Sequence, residues 1–525
     1  MTTAPSALNA IPQEVLEHIA FFSTNDTFLG PPSGLIPLLL TSRSIYSRLS
    51  LDHHLYARIY ASKFDIGPVI RRIGSNSTVP SALAAELPKR FQILKRIRDR
   101  LYSLLEDDDE DDHPMSHDLI FLAYSMMLEN EGKNERQLRD YAKIDPWLRD
   151  YWFHERGASR VVDYLSMEGW VPETPFRSMA MWLFWFILRP NDHPKDNQES
   201  WKALNIFKVF ALAAHKYELT NPAWHQFVPE PRIPKMDYIE YLSEKRCFVP
   251  PPLATPAILS FLTLVNELTE GVGYTTPVPP SHPSSLQQEK LEWECEWQRC
   301  VIVGQGDFDN ILTDAFRPGS IEGVWEGLFT YTEFTAYAAL LAGGDPHVIQ
   351  ESMVVRHRQT WKLHEHHLLA FDASRSDSGI GLDSDSVEPL PSGDPLRSYF
   401  PTGTQICEIE AGIVVRAPNR NDVLRYQRAS SIGEERQGVP VQDIIITGEG
   451  HSAWGEFNLV GRVRPCDGFV SLSKEYVGLD VLLIDFVVKV LTALHRWMET
   501  EENGYIEDIL SEMTMLTWRD GGVTL

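Results

Sequence analysis

Cysteine, basic residues and long apolar runs are all scarce in this chain of 525 residues. Its five cysteines are odd in number and include no C-x-x-C pair, the nearest spacing being Cys295 to Cys300, so a disulfide framework is disfavoured. The longest apolar run, Met179 to Leu188, is about half the length that a membrane helix needs. The first residues show no basic start followed by an apolar stretch, so no secretory signal is predicted. A cytoplasmic or nuclear location is expected.

The balance of charge limits the partners of the chain. Lys and Arg number 48 against 73 Asp and Glu, which gives a net charge of −25. A molecule this acidic repels phosphate backbones and anionic lipid headgroups, so neither a nucleic acid nor a membrane is expected as a partner. The length alone predicts about two to four domains.

Helical periodicity dominates the first half of the chain, and strand-like alternation dominates the second. The pattern predicts an N-terminal three-helix segment at 8–65 and a helical region at 66–274 with an acidic loop, EDDDEDD, at 106–112. A β-rich module at 286–525 is predicted to contain a polar loop at 374–398 and a C-terminal helix that begins near residue 478. The expected fold class is therefore α+β, with an antiparallel, barrel-like sheet in the C-terminal module.

Three short amphipathic segments open the chain. They are IPQEVLEHIAFF, LIPLLLTSRSIYSRLS and HHLYARIYASKFD, and Pro12 suits the first turn of a helix. Helices this short cannot bury all their apolar residues among themselves. An apolar face is therefore expected to remain for a partner protein.

These strings resemble an F-box, in the form found in fungal F-box proteins. They share a Pro-x-Glu helix start, a Leu-rich second helix, a Thr-Ser-Arg-Ser turn and an aromatic pair in the third helix. The resemblance implies docking on the Skp adaptor of SCF-type (Skp–cullin–F-box) ubiquitin ligases. By position, the residues facing the adaptor would be Ile11, Pro12, Glu14, Val15, Leu16 and Ile19, with Leu38, Leu39 and Leu40 in support. An insertion at 23–34 departs from the short first loop of the family.

The C-terminal module repeatedly places glycine near tryptophan within strand-like segments. The strings IEGVWEGLFTYTEF and GEGHSAWGEFNLVGRVRPCDG suit a tight barrel, in which an aromatic plugs one end and glycine permits a bend. They resemble the C-terminal β module of cyclin-binding F-box proteins and are also similar to lipocalin- and avidin-like barrels. The candidate target contacts are Trp325, Tyr331, Trp454 and Arg462. The sequence leaves open whether residues 478–525 complete the barrel or follow a misassigned splice junction near Val477.

Catalytic and metal motifs receive little support. A histidine-rich run at 354–371 would allow a metal, but no second cluster with ligand spacing accompanies it, so no metal and no cofactor are expected. No G-x-S-x-G, P-loop or H-E-x-x-H motif occurs. No catalytic residue is therefore expected, and the chain is predicted not to be an enzyme.

Together these features predict the substrate-recognition subunit of an SCF-type E3 ubiquitin ligase. The F-box would bind the Skp adaptor and through it the cullin scaffold, and the C-terminal module would bind an unidentified target protein. Two alternatives stay open: a lipocalin-like protein that binds a small molecule, and a scaffold that binds the Skp adaptor outside ubiquitination.

Overall fold

The computed structural model describes fourteen stretches of the chain. They are residues 11–24, 27–74, 78–105, 114–213, 216–219, 225–228, 237–268, 318–370, 388–418, 420–432, 439–464, 468–477, 487–490 and 516–518. Their helices and antiparallel strands confirm the α+β class. They cluster into two units, the first from residues within 1–192 and 234–253, and the second from residues within 193–233, 254–277 and 306–525.

The first unit is mostly helical. Its helices are α1 Gln13–Thr24, α2 Leu35–Leu39, α3 Arg43–Leu49, α4 His53–Lys63, α5 Gly67–Ile73, α6 Pro80–Arg98, α7 Pro114–Leu128, α8 Lys133–Arg136, α9 Ile144–Phe153, α10 Val161–Ser166 and α11 Pro175–Ile187. A π-helical turn, Gln137–Tyr141, continues α8. Strands β1 Asp237–Tyr241 and β2 Glu244–Phe248 form an antiparallel hairpin.

The N-terminal segment contains four helices, so the prediction of three is wrong. The predicted second helix is divided into α2 and α3 at Ser42, which has extended backbone and accepts a hydrogen bond from the backbone N–H of Ile45 at 3.2 Å. A serine in this geometry begins a new helix because its Oγ satisfies an unpaired N–H of the first turn.

The predicted helical region at 66–274 also needs correction. The β1–β2 hairpin interrupts it, and its later helices belong to the second unit. The two residues of the hairpin turn, Leu242 and Ser243, both have positive φ, the geometry that Asn and Gly usually mark. The sequence therefore carries no turn signal there. The acidic loop at 106–112 lies outside the described residues.

A buried arginine joins three helices of the first unit. The Nη2 of Arg90 on α6 donates to Glu129 Oε2 at 2.8 Å, and its Nε lies 3.6 Å from Glu86 Oε1. The guanidinium lies 5.0 Å from the ring of Tyr60 and 5.3 Å from that of Phe64. Burial alone would lower the pKa of Arg90, but Glu129, Tyr60 and Glu86 together outweigh this effect and raise the pKa, so the charge is retained. The cluster connects α4 to α6 and α7.

The insertion after α1 is fixed to the same unit. The Nζ of Lys63 donates to the carbonyls of Thr27 and Phe28. The Nε2 of Gln137 donates to the Phe28 carbonyl at 3.0 Å, and Gln137 Oε1 accepts from the N–H of Gly30 at 2.9 Å. Gly30 has a φ of +76°, which favours glycine. The insertion therefore packs on α4 and on the π-helical turn.

Among its described residues, the second unit has four α-helices and one large sheet. The helices are α12 Gln198–Leu212, α13 Ala254–Leu268, α14 Phe334–Leu341 and α15 His347–Glu351. The strands are β3 Gly323–Thr332, β4 Val354–Leu369, β5 Gln405–Ile409, β6 Gly412–Arg416, β7 Leu424–Arg428, β8 Val441–Ser452, β9 Gly455–Val463, β10 Val470–Tyr476, β11 Val487–Val490 and β12 Leu516–Trp518.

These ten strands form an antiparallel sheet, as predicted. Their order is β12-β11-β10-β9-β8-β4-β7-β6-β5, and β3 pairs with β4 beside β7. Within the described strands the pairings form an open path, not a closed ring. Alternate residues define an inner face that carries Trp361, Ile446, Phe457 and Leu472, and an outer face that carries a second core with Ile445 and Tyr426.

Two predictions for this unit are corrected. Val487–Val490, inside the predicted C-terminal helix, forms β11 and pairs with β10, and three of its four residues are valines, which favour strands. The remainder of 478–502 lies outside the described residues. In the predicted polar loop, residues 374–387 also lie outside them, but Leu390, Ser398 and Tyr399 are buried against the sheet.

We expect Arg90→Met to lower the free energy of unfolding by about 3–5 kcal/mol, because it leaves two buried carboxylates without their cation. Urea denaturation of the full chain measures the change. Arg71→Met removes the partner of Glu131 at an exposed ion pair and should cost no more than about 1 kcal/mol. Equal effects of the two substitutions would contradict the role given to Arg90.

Candidate functional site

Helix α1 presents an apolar side to solvent. Leu16 is fully buried, whereas Val15, Ile19 and Phe22 are 47%, 42% and 64% exposed. The three exposed residues are spaced at i, i+4 and i+7, so they share one side of the helix. Three large apolar groups on one side of a short helix mark a surface for a partner.

The neighbouring helices add further exposed apolar side chains. We define the N-terminal apolar face as the exposed large apolar residues of α1, α2, α3 and the turn after α3, namely Val15, Ile19, Phe22, Ile36, Leu40, Tyr46 and Leu51. Among the predicted adaptor contacts, Pro12, Glu14, Val15, Ile19 and Leu40 are exposed, and Ile11, Leu38 and Leu39 are half-buried. Leu16 is a core residue, so its predicted role in adaptor contact is wrong.

Sequence reasoning missed four members of this face: Phe22, Ile36, Tyr46 and Leu51. Extending the helical spacing from Val15 by one further turn would have found Phe22. Ile36 lies on α2, and Tyr46 and Leu51 come after the helix break at Ser42, which the sequence pattern did not predict.

Polar contacts fix the start of α1 against α3 and α4. Arg48 Nη2 donates to the Ile11 carbonyl at 2.8 Å, and Arg48 Nε donates to Gln13 Oε1 at 2.9 Å. Gln13 Nε2 lies 3.3 Å from Asp52 Oδ2, and Asp52 Oδ1 accepts from the N–H of Leu55 at the start of α4. The helices that carry the apolar face are thus held in place before any partner binds.

Arg462 is buried and does not present its guanidinium to a target. Its Nε and Nη2 donate to Asp443 at 3.1 and 2.9 Å. Nη2 also donates to the Leu390 carbonyl at 2.8 Å, and Nη1 donates to the carbonyls of Pro391 and Tyr399 at 3.1 and 3.0 Å. All five N–H groups of the side chain are therefore used. Arg462 positions the segment 390–399 on the outer face of the sheet, and direct contact with a substrate is excluded.

The segment that Arg462 holds borders a cleft. The cleft has a volume of about 450 Å³ and lies between residues 397–404 and the outer face of β9 and β10. Its lining includes Phe400, Pro401, Thr402, Asn458, Ser473 and Glu475. Ser398 and Tyr399 both have positive φ next to it, a conformation that costs about 1–2 kcal/mol per residue. Backbone strain of this kind is common in segments that bind ligands.

The aromatic residues that were predicted to contact a target lie at different places in the second unit. Trp325 packs against the inner-face core, and its Nε1 donates to the Ile321 carbonyl at 2.9 Å. Trp454 lies at the turn between β8 and β9, is partly exposed, and contacts the ring of His357 at 4.4 Å. The side chain of Tyr331 lies outside the described residues.

A buried lysine, which sequence reasoning also missed, lies on the inner face near Trp454. Lys474 is 1% exposed, and its Nζ lies 3.7 Å from the ring centre of Phe457 and 3.1 Å from Gln359 Oε1. Burial lowers the pKa of Lys474 to about 7. Burial and the Lys474 charge lower the pKa of His357 to about 4, so this imidazole is neutral at pH 7.

The side chains of the histidine-rich run do not meet at one site. His366 Nε2 lies 2.9 Å from Thr447 Oγ1, His367 Nε2 lies 2.7 Å from Glu365 Oε1, and His364 contacts Arg428. Within the described stretches, no group of three His, Cys, Asp or Glu is placed to hold a metal ion. Among the described helices, none combines the length and apolar character that a membrane crossing requires.

Comparisons of the chain with protein-family profiles, with curated proteins and with solved structures find no match. The function of the chain is therefore proposed from the geometry of its own residues.

Replacing Arg462 by methionine should release the segment 390–404 and expose the unpaired carboxylate of Asp443. We expect faster amide hydrogen exchange in that segment and a loss of about 3–5 kcal/mol in the free energy of unfolding. Arg416→Met, at an exposed arginine of the same sheet, is the matched control and should change neither quantity. Unchanged exchange in Arg462→Met would contradict the positioning role.

The depressed pKa of Lys474 predicts a pH dependence of stability. Between pH 7 and about 10 the unfolded chain binds a proton at this lysine that the folded chain does not, so stability rises with pH in this window. The nearby titratable groups, His357 and Tyr476, do not titrate in the folded protein in this pH window. Burial lowers the pKa of His357 to about 4 and raises the pKa of Tyr476 above its ordinary value. Urea denaturation from pH 7 to 9 should show a steeper rise for wild type than for Lys474→Met. Lys362→Met is the exposed control, and equal slopes in wild type and Lys474→Met would contradict the prediction.

Proposed function

We propose that this chain is the substrate-recognition subunit of an SCF-type E3 ubiquitin ligase. The observation that carries the proposal is the N-terminal apolar face on short helices that resemble an F-box. Val15, Ile19 and Phe22 lie outwards on α1 while Leu16 packs inwards. This division supports an α1 that buries one side in its own unit and keeps the other for the Skp adaptor.

The support beneath these helices fits the same function. A ligase subunit must hold its target at a defined place, so the adaptor-binding helices must not move freely. Arg48 and Gln13 fix the start of α1, and Lys63 and Gln137 fix the insertion. Preorganised contacts of this kind reduce the entropy lost on binding.

We assign target binding to the cleft beside residues 397–404. Its volume of about 450 Å³ is sufficient for a few residues of an extended peptide, and its lining mixes apolar side chains with hydroxyl and carboxamide groups. Within the assignment, Arg462 acts indirectly by holding one wall of the cleft. We also propose that the sheet closes into a barrel-like module, with Trp325 packed against the core on its inner face.

The proposed mechanism is one of positioning. Two binding events on one chain raise the effective concentration of the target near the ubiquitin-charged enzyme. No residue of this chain takes part in bond formation under this scheme. The cullin scaffold would be reached through the Skp adaptor and not through direct contact.

A second candidate function is the binding of a small molecule by the sheet. The buried amine of Lys474 among aromatic rings favours it. The scaffold function, in which the Skp adaptor is bound without ubiquitination, shares the apolar face with the main proposal and differs from it in cullin recruitment.

The double variant Val15→Glu/Ile19→Glu should weaken binding to the purified Skp adaptor at least about 100-fold, because two charges would enter an apolar interface. Isothermal titration calorimetry with the full chain measures the affinity. Met167→Glu places the same charge at another exposed apolar position of the first unit and should leave the affinity unchanged.

Equal affinities of wild type and the double variant would contradict the proposal. A wild-type complex with the adaptor that fails to recruit the cullin would replace the ligase function by the scaffold. Leu16 is unsuitable as a test position, because a charge there would disrupt the core.

A further inference from the structure

Lys474 is a buried cation that contacts aromatic rings and an amide oxygen. It lies on the inner face of β10, where Phe457, Tyr476 and Phe329 place their ring centres 3.7, 4.6 and 5.3 Å from its Nζ. Within the described part of the chain, no acidic side chain forms an ion pair with it. Its Nζ donates a hydrogen bond to the amide oxygen of Gln359 at 3.1 Å.

The environment of Lys474 differs from that of two buried arginines of the same chain, Arg90 and Arg462. Arg90 and Arg462 each contact a buried carboxylate at hydrogen-bond distance. Aromatic rings stabilise an ammonium by only about 1–2 kcal/mol, which is less than the cost of removing it from water. The protonated and neutral forms of Lys474 therefore have similar free energies in the folded protein, as its pKa of about 7 reflects.

The remaining polar groups around the amine hold it in one place. Gln359 Oε1 accepts from Lys474 Nζ at 3.1 Å and from Trp361 Nε1 at 3.0 Å, and Gln359 Nε2 donates to His357 Nε2 at 2.9 Å. Gly450 lies opposite this group, and a side chain there would meet the ring of Phe457 at 2.3 Å. The positions of the Lys474 amine, of Gln359 and of the surrounding rings are thus fixed by direct contacts among them.

Trp454 and His357 connect this site to the surface. Trp454 is 45% exposed and His357 is half-buried, and their rings lie 4.4 Å apart. Trp454 also contacts Tyr476 at 6.3 Å, and Tyr476 contacts Phe457 at 5.5 Å. A series of ring contacts therefore runs from the aromatic side chains around Lys474 to the exposed Trp454.

We propose that Lys474 is a reactive amine that binds apolar aldehydes covalently, as an imine, on the inner face of the sheet. The aromatic wall selects an apolar or aromatic body for the ligand, and the lack of a carboxylate keeps the amine nucleophilic. The proposal is independent of adaptor binding.

The reaction is balanced with the aldehyde as the only co-reactant. The lone pair of neutral Nζ adds to the carbonyl carbon, and one amine proton moves to the oxygen through solvent. The resulting carbinolamine loses its hydroxyl and the second amine proton as water, which leaves the C=N double bond. Hydrolysis by the reverse path releases the ligand.

The test uses the full chain, benzaldehyde and sodium cyanoborohydride, which reduces an imine to a stable amine. Peptide mass spectrometry compares the rate of benzylation at Lys474 with that at Lys362, an exposed lysine on β4 of the same sheet. At pH 7 an amine with a pKa of about 7 is about 1,000 times more often neutral than one with an ordinary pKa. Restricted access to the site reduces this advantage. We therefore expect Lys474 to react at least about tenfold faster than Lys362.

Two controls distinguish the site from a chance reaction. In 8 M urea (about the concentration that unfolds most domains) the two lysines should react at equal rates, since burial is lost. Gln359→Glu keeps the lysine but gives it a carboxylate, which should raise its pKa and remove the preference at pH 7. A Lys474 rate no higher than that of Lys362 in the folded protein would overturn the proposal, as would a preference that persists in urea or in Gln359→Glu.

Discussion

The ion pair between Arg90 and Glu129 is the contact on which the first unit depends. It lies in the interior, with Glu86 nearby and the rings of Tyr60 and Phe64 above the guanidinium. The helices α1 to α4 are too short to enclose a core, so the rings of Tyr60 and Phe64 join α4 to the core of α6 and α7. A buried charge accepts few arrangements of its neighbours, whereas apolar helices can slide over one another. The cluster thereby specifies how the N-terminal helices are held.

In the second unit, a buried arginine–carboxylate pair fixes a loop. Arg462 and Asp443 form a buried pair, and the remaining N–H groups of Arg462 hold backbone carbonyls of the segment 390–399. Lys474 is the exception among these buried cations, because aromatic rings and an amide replace the carboxylate. In our interpretation the two arginines serve the fold, and the lysine serves a ligand.

The sequence predicted the features that depend on local periodicity. The amphipathic pattern indicated α1 and α4, and the alternation with glycine and tryptophan indicated the antiparallel sheet. Leu16 shows the limit of the pattern, since spacing groups residues on one side of a helix without saying which side meets a partner. The turn at Leu242 and Ser243 has neither Gly nor Asn, and the strand at 487–490 lies within an apolar run that also suits a helix.

Contacts between distant residues were beyond prediction from the sequence. Arg90 and Glu129 are 39 residues apart, and Arg462 meets the Leu390 carbonyl 72 residues away. Nothing in the local sequence marks Lys474 as buried, because SLSKEYV reads as a strand with an exposed lysine. Its burial follows from the register in which β10 pairs with β9 and from the rings that this register places around it.

Hydroxyl-radical footprinting of the full chain with and without the Skp adaptor tests the central claim most directly, because it reports the exposure of individual side chains. The account predicts that oxidation of Phe22, Leu40 and Tyr46 falls when the adaptor is present, while oxidation of exposed Met167 stays constant. Unchanged oxidation of these three residues at saturating adaptor, or protection confined to the second unit, would contradict it.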